Sequence, residues 1–219
     1  MSSMHKNYSF KSRSGKFAMH TSSKELQDLL VAWILVSFAF AIARTSENGI
    51  SFDAFFSLGF LLFMAISAVT VGVAFIFHEM AHKLVAQHYH CWAEFRADLT
   101  MLGLGVLMSF LGVVFIAPGA VMIFGEINYK QNGKISLAGP LTNIILAIAL
   151  LPLLFMHFSS SILTEIIESG YLINAWLALF NMIPFWNFDG AKIYAWDRKA
   201  YFTMVIVSAF LIFFYFVDK

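Results

Sequence analysis

The chain has 219 residues and a formal net charge of +1; 60% of its residues are hydrophobic and only 12% are charged, giving a mean hydropathy of +0.76. Soluble domains are about 45–50% apolar and about 25% charged, so the composition excludes an ordinary soluble globule, and the lack of any basic block excludes a nucleic-acid partner. The single cysteine, Cys91, excludes an internal disulfide.

Residues 1–27 form a polar tail rich in Ser and Lys, expected to be poorly ordered. The apolar run that follows lacks a small-residue cleavage site and is not read as a removable signal peptide. The first span is expected near Asp28–Ala43, with an exterior loop to residue 52, and the second runs about Asp53–Gln87 with a polar C-terminal end. Leu99–Phe124 is long and apolar but carries Gly103, Gly105, Gly112, Pro118 and Gly119, which argue against one straight helix. Further spans follow at Ile135–Phe158, about Tyr171–Phe188 and about Ala200–Val217. Most of these approach or exceed the roughly 20 residues needed to cross hydrocarbon. The expected fold is an all-α multi-pass membrane protein with five full crossings plus a re-entrant or doubled-back segment at 99–124. Residues 53–192 would form its core and 193–219 a C-terminal span.

Positive charge decides between the topologies. A single crossing at Leu99–Phe124 would put Lys130, Lys134, Lys192, Arg198 and Lys199 outside together with Arg44. Doubling back moves those five inside and leaves only Arg44 and Lys219 of the 14 Lys and Arg on the exterior. Cytoplasmic loops carry the excess of Lys and Arg. The chain is therefore expected in the cell membrane with its N-terminus cytoplasmic and its C-terminus exterior.

Within the apolar spans, His78, Glu79, His82 and Asp189 stand out. A charge at the bilayer centre costs about 2.5–3.5 kcal/mol on insertion scales, so each such residue is a functional candidate. His78-Glu79-Met80-Ala81-His82 is an H-E-x-x-H motif. Residues four apart on a helix lie one turn above each other, so both imidazoles can reach one ion, and zinc favours such ligands. Glu79 points to a neighbouring face, the place of a general base beside a zinc-bound water. The blander alternative is a pair of helix-surface histidines with a carboxylate at the membrane end. It leaves Glu79, flanked by Val71–Phe77, without a reason to be there.

A catalytic zinc has three protein ligands and an open position. His88 and His90 follow the apolar run and read as an interfacial loop, and His157 ends a span beside a serine cluster. Asp189 sits in the stretch from Asn181 to Gly190, where Pro184 interrupts an apolar helix that ends at glycine. It supplies the missing carboxylate of a two-histidine zinc set, or else is a helix-end aspartate held by water.

Three elements occur in one order: His78-Glu79-Met80-Ala81-His82, then Ala138-Gly139-Pro140-Leu141-Thr142-Asn143, then Asn181-x-x-Pro184 with Asp189-Gly190. In this the chain resembles the site-2 proteases, intramembrane zinc metalloproteases, over about Asp53–Lys192, their three-helix catalytic core. The resemblance implies that His78, His82 and Asp189 bind Zn2+, that Glu79 activates the water, and that Asn181 lies near the site to hold substrate or the developing oxyanion. For Asn181 a polar helix–helix hydrogen bond is the alternative. Pro184 would break the helix so that Asp189 turns to the metal, and Gly139 and Asn143 read as packing and inter-helix contacts first. Family members often carry a short sheet-like, partly embedded segment where this chain has Leu99–Phe124.

The implied activity is regulated intramembrane proteolysis, hydrolysis of a peptide bond within or near the transmembrane segment of a membrane-protein substrate in the lipid bilayer. A polar channel is expected near His82, Asp189 and Asn187. The rival reading is a membrane metal-ion transporter or sensor that uses the same His/Asp site on broken helices.

Overall fold

A computed structural model describes residues 21–46, 52–114, 117–185 and 187–217. The polar tail up to residue 20, Trp186 and Lys219 lie outside the described residues.

The first helix, α1 (Ser23–Ser46), starts inside the expected tail. Ser22 Oγ accepts the Glu25 N–H at 3.1 Å, which satisfies one of the free donors of the first turn. At about 1.5 Å per residue its 24 residues span about 36 Å, enough to cross a bilayer. Its buried stripe includes the small residues Ala32, Ser37, Ala39 and Ala41, while Leu26, Leu30 and Ile34 stay exposed. Small residues inside and bulky ones outside is the pattern of a helix packed in lipid.

The expected second span is a 31-residue apolar helix, Leu58–His88, built from α2 (Leu58–Ser67), a π-helical turn at Ala68–Gly72 and α3 (Val73–His88). Ser57 caps its start by accepting from Phe60 N–H at 3.2 Å. The π turn disturbs the hydrogen-bond ladder, and the indole N–H of Trp33 on α1 donates to the Ala68 carbonyl there at 2.8 Å.

The stretch after α3 doubles back, though not as a helical pair. Strand β1 (Trp92–Ala97) leads to helix α4 (Leu99–Ser109), and the chain returns as strand β2 (Gly119–Phe124). The strands pair antiparallel from Trp92↔Phe124 to Ala97↔Gly119. Asp98 caps α4 by accepting from Thr100 and Met101 N–H. At eleven residues α4 is too short to cross on its own. The fold is the expected all-α multi-pass bundle, with one two-stranded sheet in the doubled-back segment.

Helix α5 (Tyr129–Leu154) starts at a capping box between Asn128 and Gln131 and runs through Pro140 and Pro152. Helix α6 (Ser161–Asn181) begins ten residues earlier than hydropathy places it. Glu165 and Glu168 lower the local hydropathy, and Glu165 pairs with Arg44 at 3.6 Å. Short α7 (Asp189–Trp196) and α8 (Arg198–Val217) complete the bundle. Five helices are thus long and apolar enough to cross a membrane among the described residues, and this is a membrane protein.

Helix α5 packs against α3, α6 and α7, and a buried core of Ile144, Tyr171, Ala175, Met182, Ile193 and Leu211 joins α5 to α8. Tyr171 OH donates to the Leu211 carbonyl at 2.8 Å. On the other side, α1 is tied to α3 by an ion pair. Lys83 Nζ lies 2.5 Å from Glu25 Oε2, both side chains being fully buried, and donates to Thr21 Oγ1 at 2.9 Å. Glu25 Oε1 accepts the Phe95 N–H of β1 at 3.1 Å. Lys83, one of the Lys and Arg that the doubled-back topology puts on the cytoplasmic side, is buried and neutralised.

Candidate metal centre

Helix α3 places His78, Glu79 and His82 at 4–8% exposure, and the start of α7 places Asp189 at 9%. His78 and His82 stand one turn apart with Nε2 atoms 3.0 Å from each other. Asp189 Oδ2 is 3.4 Å from His78 Nε2 and 3.1 Å from His82 Nε2. These three form the one group able to hold a metal among the described residues.

Two local features bring Asp189 there. Pro184 lies just beyond the end of α6 at Asn181, and the chain reverses before α7 starts. Asp189-Gly190 therefore opens a helix rather than ending one, contrary to the sequence expectation. Gly190 lies against the end of α6 so closely that a Cβ would sit 2.3 Å from the Met182 carbonyl. Only glycine permits that approach.

The hydrogen bonds fix the role of each ring nitrogen. His82 Nδ1 lies 2.7 Å from the Ile135 carbonyl of α5, which can only accept, so Nδ1 carries the proton. His78 Nδ1 lies 2.6 Å from Asn143 Oδ1. The Asn143 NH2 is committed to the Ala74 carbonyl at 3.2 Å and to Asn174 Oδ1 at 2.9 Å, so Oδ1 is the atom facing His78 and again Nδ1–H donates. Both Nε2 atoms are left as lone-pair acceptors, turned toward each other and toward a carboxylate oxygen. Such a buried convergence of two nitrogens and a carboxylate oxygen is one that could hold a metal ion. The spacing also fits: ligands about 2.0–2.1 Å from a tetrahedral zinc lie roughly 3.3 Å apart.

Gly139 completes the cradle. A Cβ there would lie 2.4 Å from His82 Nε2 and 2.6 Å from His78 Nε2, so the small-residue segment of α5 is shaped to the imidazoles as well as to the helix interface. Glu79 is buried within electrostatic reach of His78, Asp189 and Lys192. Asn181, by contrast, donates its side-chain NH2 to Leu177 of its own helix at 2.9 Å and is not drawn into the cluster. Asn187 is exposed. His88, His90 and His157 do not join the group. Two cavities of about 290 and 210 Å³ are lined by Arg44 and its neighbours, at the end of α1 away from Glu25; neither is lined by a metal-centre residue.

Sequence reasoning passed over Asn174. An amide in the middle of the apolar run Leu172-Ile173-Asn174-Ala175-Trp176 was the available signal.

The chain is 39% identical over 178 residues to a protein of Methanocaldococcus jannaschii named "putative zinc metalloprotease", the match covering 80% of this chain and 86% of that one. No protein-family model matches the chain, and no solved structure matches it.

Proposed function

This chain belongs to the same family as that archaeal protein, and from that membership we propose that it is an intramembrane zinc metalloprotease of the site-2 protease type. The observation that carries the reading is the convergence of two imidazole Nε2 atoms and a carboxylate oxygen within 3.4 Å on apolar helices, with Glu79 beside them. His78, His82 and Asp189 hold zinc, which when bound polarises a scissile carbonyl and acidifies a water.

The remaining chemistry belongs to the protein. Glu79 takes the water's proton and passes it to the leaving amine. Desolvation around it strengthens its interaction with the reacting groups. Gly139 keeps the space over the two imidazoles clear. His82 stands six residues and His78 ten residues before the end of α3 at His88, about 9 and 15 Å along the axis, a depth that matches a bond within the substrate's membrane segment. A transmembrane helix hides its peptide bonds in its own hydrogen bonds, so the substrate must be drawn out. Among the described residues, β2 pairs only with β1, and its other edge is the candidate to hold the substrate extended by main-chain pairing.

The chain runs with its N-terminus in the cytoplasm and its C-terminus outside the cell membrane. Contacts support that course: Glu25 meets Lys83 at one end of α1 and Arg44 meets Glu165 at the other, while His82 of α3 meets Ile135 near the start of α5. The segment between α3 and α5 therefore leaves and returns at one end of the bundle.

The test is Glu79→Gln beside Asp189→Ala in proteoliposomes holding a transmembrane substrate. Glu79→Gln should retain stoichiometric zinc and lose cleavage, and Asp189→Ala should lose tight zinc. A Glu79→Gln protein that still cleaves would overturn the reading, and wild type that moves metal across the vesicle without cleaving would identify a transporter.

A further inference from the structure

His82 and His78 are oriented by different means. His82 leans on a backbone carbonyl, which holds its direction whatever the side chains nearby. His78 leans on an amide, and an amide can rotate. Turned by half a revolution, Asn143 would offer His78 Nδ1 a donor instead of an acceptor. The imidazole proton would then move to Nε2, the atom that must face the metal. Something has to hold Asn143 one way round.

That hold comes from α6, which packs against α5. Asn174 Nδ2 donates to the Gly170 carbonyl, one turn earlier in its own helix, at 2.8 Å. A carbonyl cannot donate, so the Asn174 amide has one permitted orientation, with Oδ1 toward α5. This oxygen accepts from Asn143 Nδ2 at 2.9 Å. The Ala74 carbonyl accepts the other proton of the same NH2 at 3.2 Å. Asn143 Oδ1 is thereby directed at His78 Nδ1. Both asparagines are at least 96% buried, at 4% and 0% exposure, so no water is at hand to replace a missing partner. We propose that Asn174, through Asn143, is a positioning residue that fixes the tautomer of His78 and with it the affinity of the site for zinc.

The inference rests on the metal site described above but not on proteolysis, and its readout is binding. Zinc affinity is measured by chelator competition on the purified full chain for wild type, Asn174→Leu and Asn174→Asp. Leucine repeats the branched skeleton of asparagine but offers no acceptor; aspartate keeps the oxygen toward Asn143. Loss of an outer partner of a metal-bound histidine costs about 10–100-fold in affinity. Asn174→Leu should weaken zinc binding by that amount, and Asn174→Asp should stay within about threefold of wild type. A mere packing role would leave the Nδ1–H tautomer of His78 unchanged in Asn174→Leu. Equal affinities for wild type and Asn174→Leu, or equal losses in both variants, would overturn the relay while leaving the metal site standing. Wild type without tight zinc would sink both.

A measurement on the unaltered chain guards against a variant that fails to fold. Nitrogen-15 spectra of histidine-labelled, zinc-free protein near pH 8, with His78 assigned by its loss in His78→Gln, should show the Nδ1–H tautomer. An Nε2–H signal from His78 would refute the proposal outright.

Discussion

Replacing Gly139 with alanine puts the metal centre to a test that is blind to protein stability. The added methyl carbon would lie 2.4 Å from His82 Nε2 and 2.6 Å from His78 Nε2 and His82 Cε1, where ordinary contact begins at 3.4 Å. Each ring must therefore retreat by about 1 Å, whereas metal–ligand distances tolerate only about 0.2 Å. Two of three ligands are displaced at once, so zinc affinity should fall by about 100-fold or more, beyond the loss of an outer partner. The fold should survive. Overpacking costs about 1–3 kcal/mol, and alanine in a helix interior returns about 0.8–1 kcal/mol relative to glycine. Chelator competition reads the affinity, and circular dichroism with a thermal scan in detergent reads the fold. A folded Gly139→Ala protein that binds zinc as tightly as wild type would refute the convergence of His78, His82 and Asp189 at this face of α5.

Other expectations follow from the packing. Breaking a buried ion pair leaves a charge without its counter-ion and costs about 3–5 kcal/mol, so Glu25→Ala should lower the thermal midpoint sharply, and adding Lys83→Met should recover much of the loss. Burial pushes the Cys91 thiol up, which leaves little thiolate at pH 8. Maleimide should label the folded protein slowly and the unfolded protein fast; fast labelling of both would refute the buried position. A topology reporter fused at Lys130 should map to the cytoplasmic face, and an exterior location would overturn the doubled-back course.

Hydropathy located five crossings because lipid-facing residues are apolar whatever the fold around them, but it misplaced helix ends where charge sits on a helix. Glu25 lies in α1 and Glu165 in α6, and both had been read as flanking chain. Strand β2 escaped because Gly119–Phe124 is a short apolar run, and such a run fits a buried helix turn as well as a strand. Spacing along one helix revealed His78, Glu79 and His82. Asp189 stands out as an ionisable group in an apolar stretch, while its convergence with the histidines depends on the reversal after Asn181, which no local pattern encodes. The search for costly groups in lipid weighed ionisable side chains and overlooked amides. Asn174 obeys the same logic as Asp189, since a buried amide without partners is also expensive.

The pairing of Glu25 with Lys83 bears on how the molecule is made. The resemblance to a three-helix core begins at about Asp53, yet the charge next to His82 is neutralised by a helix that precedes that core. A fragment cut at the core's edge would carry a bare ammonium in its interior. Synthesis runs in the favourable order: α1 leaves the ribosome before α3, and N-terminal parts assemble first. The carboxylate is already in the membrane when the lysine that needs it arrives.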